Sequence, residues 1–183
     1  KEKICSLEFR EKFLQNSGFS GDTKILTYFD NLYAYDLPIT NKYNNDFLKY
    51  LFEFLEKNSG YSLIIKSKKD DIERNYKNFK NDFISLRNSH RLKVETALAD
   101  YSPGLISHIN LSISSSSPML ICAGYGAKSI VYDPAGYCDD INNENAINLF
   151  SYKNAADLGR MIKNTIDYSI KDEVTMGNKL INL

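Results

Sequence analysis

The stretch Ile109-Asn110-Leu111-Ser112-Ile113-Ser114-Ser115-Ser116-Ser117-Pro118-Met119-Leu120-Ile121-Cys122-Ala123-Gly124-Tyr125 decides the fold. Residues 109–113 form a short apolar run of strand length, and 114–117 form a loop. Pro118 marks the first turn of a helix, where a missing N–H costs nothing, and the helix runs to about Tyr125. Ser129-Ile130-Val131-Tyr132 follows as another strand, and Asp133-Pro134-Ala135-Gly136 as a turn. Strand, loop, helix and strand in this order make one unit of a parallel α/β sheet.

The same alternation extends in both directions. Upstream, residues 6–15 read as a helix with Glu8 and Lys12 as an i,i+4 pair, and Gly18 as its stop. Gly21-Asp22 is a turn, residues 24–29 a strand, and 30–45 a long polar loop containing Pro38. From Asn45 the period changes: Leu48, Leu51, Phe52 and Leu55 share a helical face that ends at Ser59-Gly60. Residues 61–65 are a second strand. Ile72, Tyr76, Phe79 and Phe83 form one stripe on a helix starting near Asp70, and residues 92–94 are a third strand. Ser102-Pro103 starts a short helix to about His108, with Ser102 as its cap. Downstream, residues 149–150 are a minimal sixth strand. Leu158, Met161, Ile162, Thr165 and Ile166 line a helix over about 154–170.

The fold class is therefore α/β: a Rossmann-like parallel sheet of five or six strands with helices on both faces. The expected organisation is an N-terminal helix and lead-in over 1–22, the Rossmann-like domain over 23–170 and a tail over 171–183.

Composition narrows the functions. The chain has 183 residues, with 23 basic and 23 acidic side chains. A net charge of zero argues against nucleic acid or an anionic membrane as main partner. The apolar runs are strand-sized, so no transmembrane segment is expected. Cys5, Cys122 and Cys138 form no CxxC and read as reduced, buried thiols of a cytoplasmic protein. His90 and His108 do not stand at ligand spacing from a cysteine, so no metal site is expected. The chain begins at Lys1 rather than Met, as a processed product or excised piece would.

In a doubly wound sheet, ligands bind beyond the carboxyl ends of the strands. That selects Asp30 and Asn31, Lys66 and Lys68, Glu95, the run Ser114-Ser115-Ser116-Ser117, and Asp133. The serine run is the sharpest of these. A helix start offers unpaired N–H groups and a positive dipole end, and small hydroxyls add donors without blocking a phosphate. The competing reading is that Ser117 only caps the helix while the other serines fill a tight loop. Lys66 and Lys68 either neutralise phosphate or belong to a solvated charge run. Asp133 either accepts from a sugar hydroxyl or starts an Asp-Pro turn. His108 reads as structural and Cys122 as core. There is no Walker A motif, no GxGxxG and no Ser-His-Asp order.

Three stretches carry a family resemblance. Glu8-Phe9-Arg10-Glu11-Lys12-Phe13-Leu14 through Gly18 and Lys24-Ile25-Leu26 resembles the opening helix, glycine and strand of a GT-B donor-binding domain. Ser62-Leu63-Ile64-Ile65-Lys66 resembles a strand ending in Lys that precedes Pro-His in many members. Tyr101-Ser102-Pro103-Gly104-Leu105-Ile106, then residues 113–117 and 127–133, are similar to the family's short helix, serine loop and following strand. The chain thus resembles the C-terminal half of a GT-B glycosyltransferase of the bacterial surface-carbohydrate and capsule type.

The resemblance implies a donor-binding domain whose partner is a nucleotide-sugar, with a glycan or lipid-linked acceptor. An N-terminal acceptor domain, absent from this chain, would supply the catalytic base, so no catalytic residue is assigned here. Ser114, Ser115, Ser116 and Ser117 would hold the diphosphate with Lys66 nearby. Glu95, Tyr101, Ser102 and Asp133 would flank the base or sugar. No cofactor is implied beyond the donor substrate itself, and no metal is required. Any membrane association would come through the acceptor. Ser67-Lys68 replaces Pro-His, and the helix after the serine loop has no Asp or Glu. Both departures bear on donor identity and activity. The alternatives are a nucleotide-sugar 2-epimerase-like domain and a non-catalytic α/β interaction domain.

Overall fold

The computed structural model describes residues 7–30, 41–67, 76–96, 101–114, 116–136 and 148–167. Its strands are β1 (Lys24–Phe29), β2 (Tyr61–Lys66), β3 (Leu92–Glu95), β4 (Ile109–Ile113), β5 (Ser129–Tyr132) and β6 (Leu149–Tyr152). The helices are α1 (Leu7–Ser17), α2 (Asn41–Lys57), α3 (Lys80–Asn88), α4 (Ser102–Ile106), α5 (Ser117–Gly124) and α6 (Leu158–Asp167). The strands form one sheet in the order β3-β2-β1-β4-β5-β6, and every neighbouring pair is parallel. The order reverses between β1 and β4, and β4 leads into the serine loop.

Helices cover both faces, as a parallel sheet requires. On one face Leu26, Tyr28, Leu63, Ile65, Leu111 and Ile113 pack under α2 and α6. Phe47 of α2 lies between Tyr28 and Tyr132, with ring centroids 5.0 and 5.9 Å away. On the other face Ile25 and Ile64 meet Leu14 of α1, while Phe29 and Val131 meet Met119 and Cys122 of α5. This second face is polar along β4, where Asn110 and Ser112 are fully buried.

Some local expectations change. The helix after β1 begins at Asn41 rather than Asn45, so its polar first turn belongs to the helix. The stripe Tyr76-Phe79-Phe83 does not lie on one helix. A 3-10 turn (Lys77–Phe79) precedes α3, and Phe79 has φ −121° and ψ 23°. The ring of Phe79 stacks on Phe52 at 5.6 Å, so packing overrides the local period. Ile72 lies outside the described residues. Ser102 is the first residue of α4 rather than its cap, a position held by Tyr101. The cap of α5 is Ser116, not Ser117. The sixth strand extends to Tyr152. The long C-terminal helix starts as a 3-10 turn (Ala155–Asp157). Its expected continuation to 170, with Cys5, Cys138 and the tail over 171–183, lies outside the described residues.

Candidate functional site

The sheet continues one hydrogen-bonded rung past its strands and thereby aligns the expected site residues. Asp30 N–H donates to Lys66 O (2.9 Å) and Ser67 N–H to Glu95 O (3.0 Å). On the other side of the reversal, Ser114 N–H donates to Tyr132 O (2.9 Å) and Asp133 N–H to Tyr152 O (2.8 Å). Asp30, Ser67, Ser114 and Asp133 are all buried along this carboxyl edge. Asn31, Lys68 and Ser115 lie outside the described residues.

The serines do different jobs. Ser114 has φ 60°, a left-handed conformation that costs a residue with a Cβ about 1–3 kcal/mol. Ser116 is extended, and its hydroxyl accepts from Met119 N–H at 3.4 Å, which makes it the helix cap. Both side chains are buried. Ser117 is exposed at the first helical position. Pro118 has no N–H and the Met119 amide is taken by the cap. Among the described residues, the Ser117 amide and hydroxyl are thus the donors that the first turn leaves open, at the positive end of the helix.

Lys66 is buried at the end of β2. Glu95 is half-buried and pairs with Lys93 at 3.5 Å. The ring of Tyr101 lies on Tyr125, with centroids 6.5 Å apart and planes at 12°. Tyr125 follows the last turn of α5, so the Tyr101 ring packs against that end of the helix. Ser102 is half-buried at the start of α4. His108 is structural: its Nδ1 accepts from Ile25 N–H at 2.9 Å, which puts its ring proton on Nε2 when neutral. Cys122 is a buried free thiol that donates to Tyr101 O at 3.6 Å.

Three residues escaped the reading of the sequence. Ser67 donates to Asp30 Oδ2, Gly104 seats α4 on the sheet, and the hydroxyl of Ser112 reaches the Ser114 carbonyl. The signal for Ser112 was a polar residue inside a strand buried on both faces. Cavities of about 320 and 520 Å³ lie at the opposite, amino-terminal edge of the sheet, beside His108 and His90 respectively. The first is faced by the carboxyl ends of α4, α5 and α6, whose dipoles disfavour an anion.

No family model matches the sequence, and no curated protein matches it. Solved structures do match. Anabaena Alr3699/HepE, solved in complex with UDP and glucose, aligns over 92% of this chain and 44% of its own at 15% identity, with a TM-score of 0.62. The wall teichoic acid polymerase TagF aligns over 89% of this chain and 40% of its own at 12% identity, TM-score 0.57. Methanocaldococcus jannaschii UDP-GlcNAc 2-epimerase, in complex with UDP-GlcNAc and UDP, aligns over 91% of this chain and 47% of its own at 12% identity, TM-score 0.53. The fold is that of the C-terminal half of GT-B proteins. The chain spans less than half the length of each of these structures. The reversal of strand order lies at β1 and β4, so α5 follows the strand at the switch point, the place where open α/β sheets in general take ligands.

Proposed function

We propose that this chain binds the nucleotide-sugar donor of a glycosyltransferase, with the donor's diphosphate at the N-terminus of α5. One observation carries the reading: Ser117 offers an open amide and an exposed hydroxyl on the helix that follows β4, where the strand order turns. HepE, solved in complex with UDP and glucose, supports it by likeness of fold. In such a transfer the bond from the sugar's anomeric carbon to the diphosphate breaks and negative charge grows on the leaving group. Fixed N–H donors and the helix dipole stabilise that charge more than the ground state, which is how they speed the step. Buried Asp133, with Glu95, Tyr101 and Ser102, flanks the sugar and base in this reading.

The finer reading is bacterial surface polysaccharide or glycan synthesis in the cytoplasm, on a glycan or lipid-linked acceptor. The base comes from a second domain, and this chain alone transfers no sugar. The experiment is calorimetric titration of the full chain with UDP. Binding that weakens several-fold in Ser117→Ala supports the reading. Equal affinity in a folded Ser117→Ala variant contradicts the phosphate assignment. An epimerase-type half would also bind UDP, whereas an interaction module would respond to no nucleotide.

A further inference from the structure

Asn110 sits in a polar row on the second face of the sheet. It is in register with Thr27 of β1 on one side and Ser129 of β5 on the other, and all three are fully buried. The two hydroxyls have partners. Ser129 Oγ donates to Ala127 O at 3.2 Å. Thr27 Oγ1 lies 2.6 Å from Ser107 Oγ, which donates to Pro103 O at 2.7 Å. Among the described residues, neither Nδ2 nor Oδ1 of Asn110 has a hydrogen-bond partner. A buried amide in that state has given up water and gained no bond in exchange.

Helix α4 lies over it. A Cβ at Gly104 would stand 3.0 Å from Asn110 Oδ1 and 2.6 Å from Cys122 Sγ, so the helix seals both. Its attachments are weak. Among the described residues, no main-chain hydrogen bond joins α4 to a strand. The helix is held by the hydroxyl chain from Thr27 through Ser107 to Pro103 O and by the burial of Pro103 and Ile106. The thiol of Cys122 adds a long bond to Tyr101 O, 3.6 Å. The chain is fixed to the sheet at His108, whose N–H donates to Ile25 O at 2.9 Å. Between helix and anchor, Ser107 is extended, with φ −77° and ψ 152°.

We propose that α4 is a hinged cover: it lifts off β4 about Ser107 while the sheet stays folded, and the unpaired amide of Asn110 is what makes lifting easy. Closed, the amide has no partner; lifted, both of its groups regain water. This holds whether or not the chain binds a nucleotide.

The buried thiol under the cover reads its motion. In the full chain, Cys5→Ser and Cys138→Ser leave Cys122 as the sole thiol. Its reaction with dithiobis(nitrobenzoate) is followed by absorbance, in urea too dilute to unfold the protein. Urea denaturation of the same protein gives the global unfolding constant. Cys122 is expected to react ~100-fold faster than global unfolding allows, at a rate nearly independent of urea, because lifting α4 exposes little surface. Asn110→Val removes the unpaired amide and should slow the reaction about 10-fold. Asn110→Ala, which cannot crowd Gly104, should slow it as well. Ser107→Ala cuts the hydroxyl chain and leaves Asn110 in place, so it should speed the reaction several-fold.

A reaction no faster than global unfolding in the single-thiol protein overturns the cover. A rate that is unchanged or faster in the folded Asn110 variants overturns the role of the amide. An unchanged rate in Ser107→Ala contradicts the hydroxyl chain as the latch.

Discussion

Ser67 Oγ donates a 3.2 Å hydrogen bond to Asp30 Oδ2, joining the ends of β1 and β2 where both leave the sheet. Both residues are buried, and the Asp30 amide is bound to Lys66 O across the same junction. Ser67 follows Lys66, and its hydroxyl ties the ends of the two strands together. Ser67→Ala leaves a buried carboxyl oxygen one donor short. A loss of about 1.5–3 kcal/mol is expected in urea unfolding. A change within error would show that Asp30 is satisfied without Ser67.

Gly104 lies where α4 approaches the sheet most closely. A Cβ there would stand 2.6 Å from Cys122 Sγ and 2.7 Å from Phe29 Cζ, inside the closest approach that carbon tolerates. Helix α4 also hangs on Cys122 through the Tyr101 carbonyl. Gly104→Ala should lower stability by about 1–3 kcal/mol, the usual cost of overpacking. Adding Cys122→Ala removes one of the clashing atoms and should recover part of the loss in the same denaturation measurement.

Arg91 serves three carbonyls. Its Nη2 donates to Leu55 O (2.6 Å) and Asn58 O (2.8 Å) at the end of α2, and its Nε to Tyr61 O (3.0 Å). Burial lowers its pKa from the usual arginine value. A lysine keeps the charge but cannot fork over these acceptors. Arg91→Lys is expected to cost about 1.5–3 kcal/mol in urea unfolding. Equal stability would mean that the charge alone closes the helix end.

Three tyrosines on the α2 and α6 side of the sheet make the protein sensitive to alkali. Burial first, then Asp46 and the hydroxyls of Tyr43 and Tyr50, pushes Tyr132 up to about 12 from its ordinary 10.0. Tyr28 and Tyr152 are raised well above the ordinary value, chiefly by burial. The folded state keeps these protons longer than the unfolded chain does. Their contribution is therefore complete below pH 10 and is lost as the pH rises through the folded-state values. Urea midpoints should fall above pH 10, and Tyr132→Phe should make that fall shallower. A Tyr132→Phe profile parallel to wild type would contradict the assignment.

The sheet was legible because its strands are short apolar runs between helix-length crossovers. The serine loop was legible because Pro118 announces a helix start. What stayed hidden depends on contacts between distant residues. The stripe Tyr76-Phe79-Phe83 has helical spacing, but Phe79 is drawn onto Phe52 of α2. The four serines look equivalent in sequence. Yet Ser116 caps the helix, Ser114 takes φ 60° between its bonds to Tyr132 and Ser112, and Ser117 faces solvent. Tyr101 looked well placed for a base, but its ring turns to Tyr125.

Amide chemical shifts of the full chain, followed as UDP is added, test whether the donor binds at the start of α5. The prediction is a saturable perturbation centred on Ser114, Ser116, Ser117 and Met119, spreading to Asp30 and Asp133 along the same sheet edge. Shifts confined to the opposite edge, around His108 and Lys128, or no response at any UDP concentration, would contradict it.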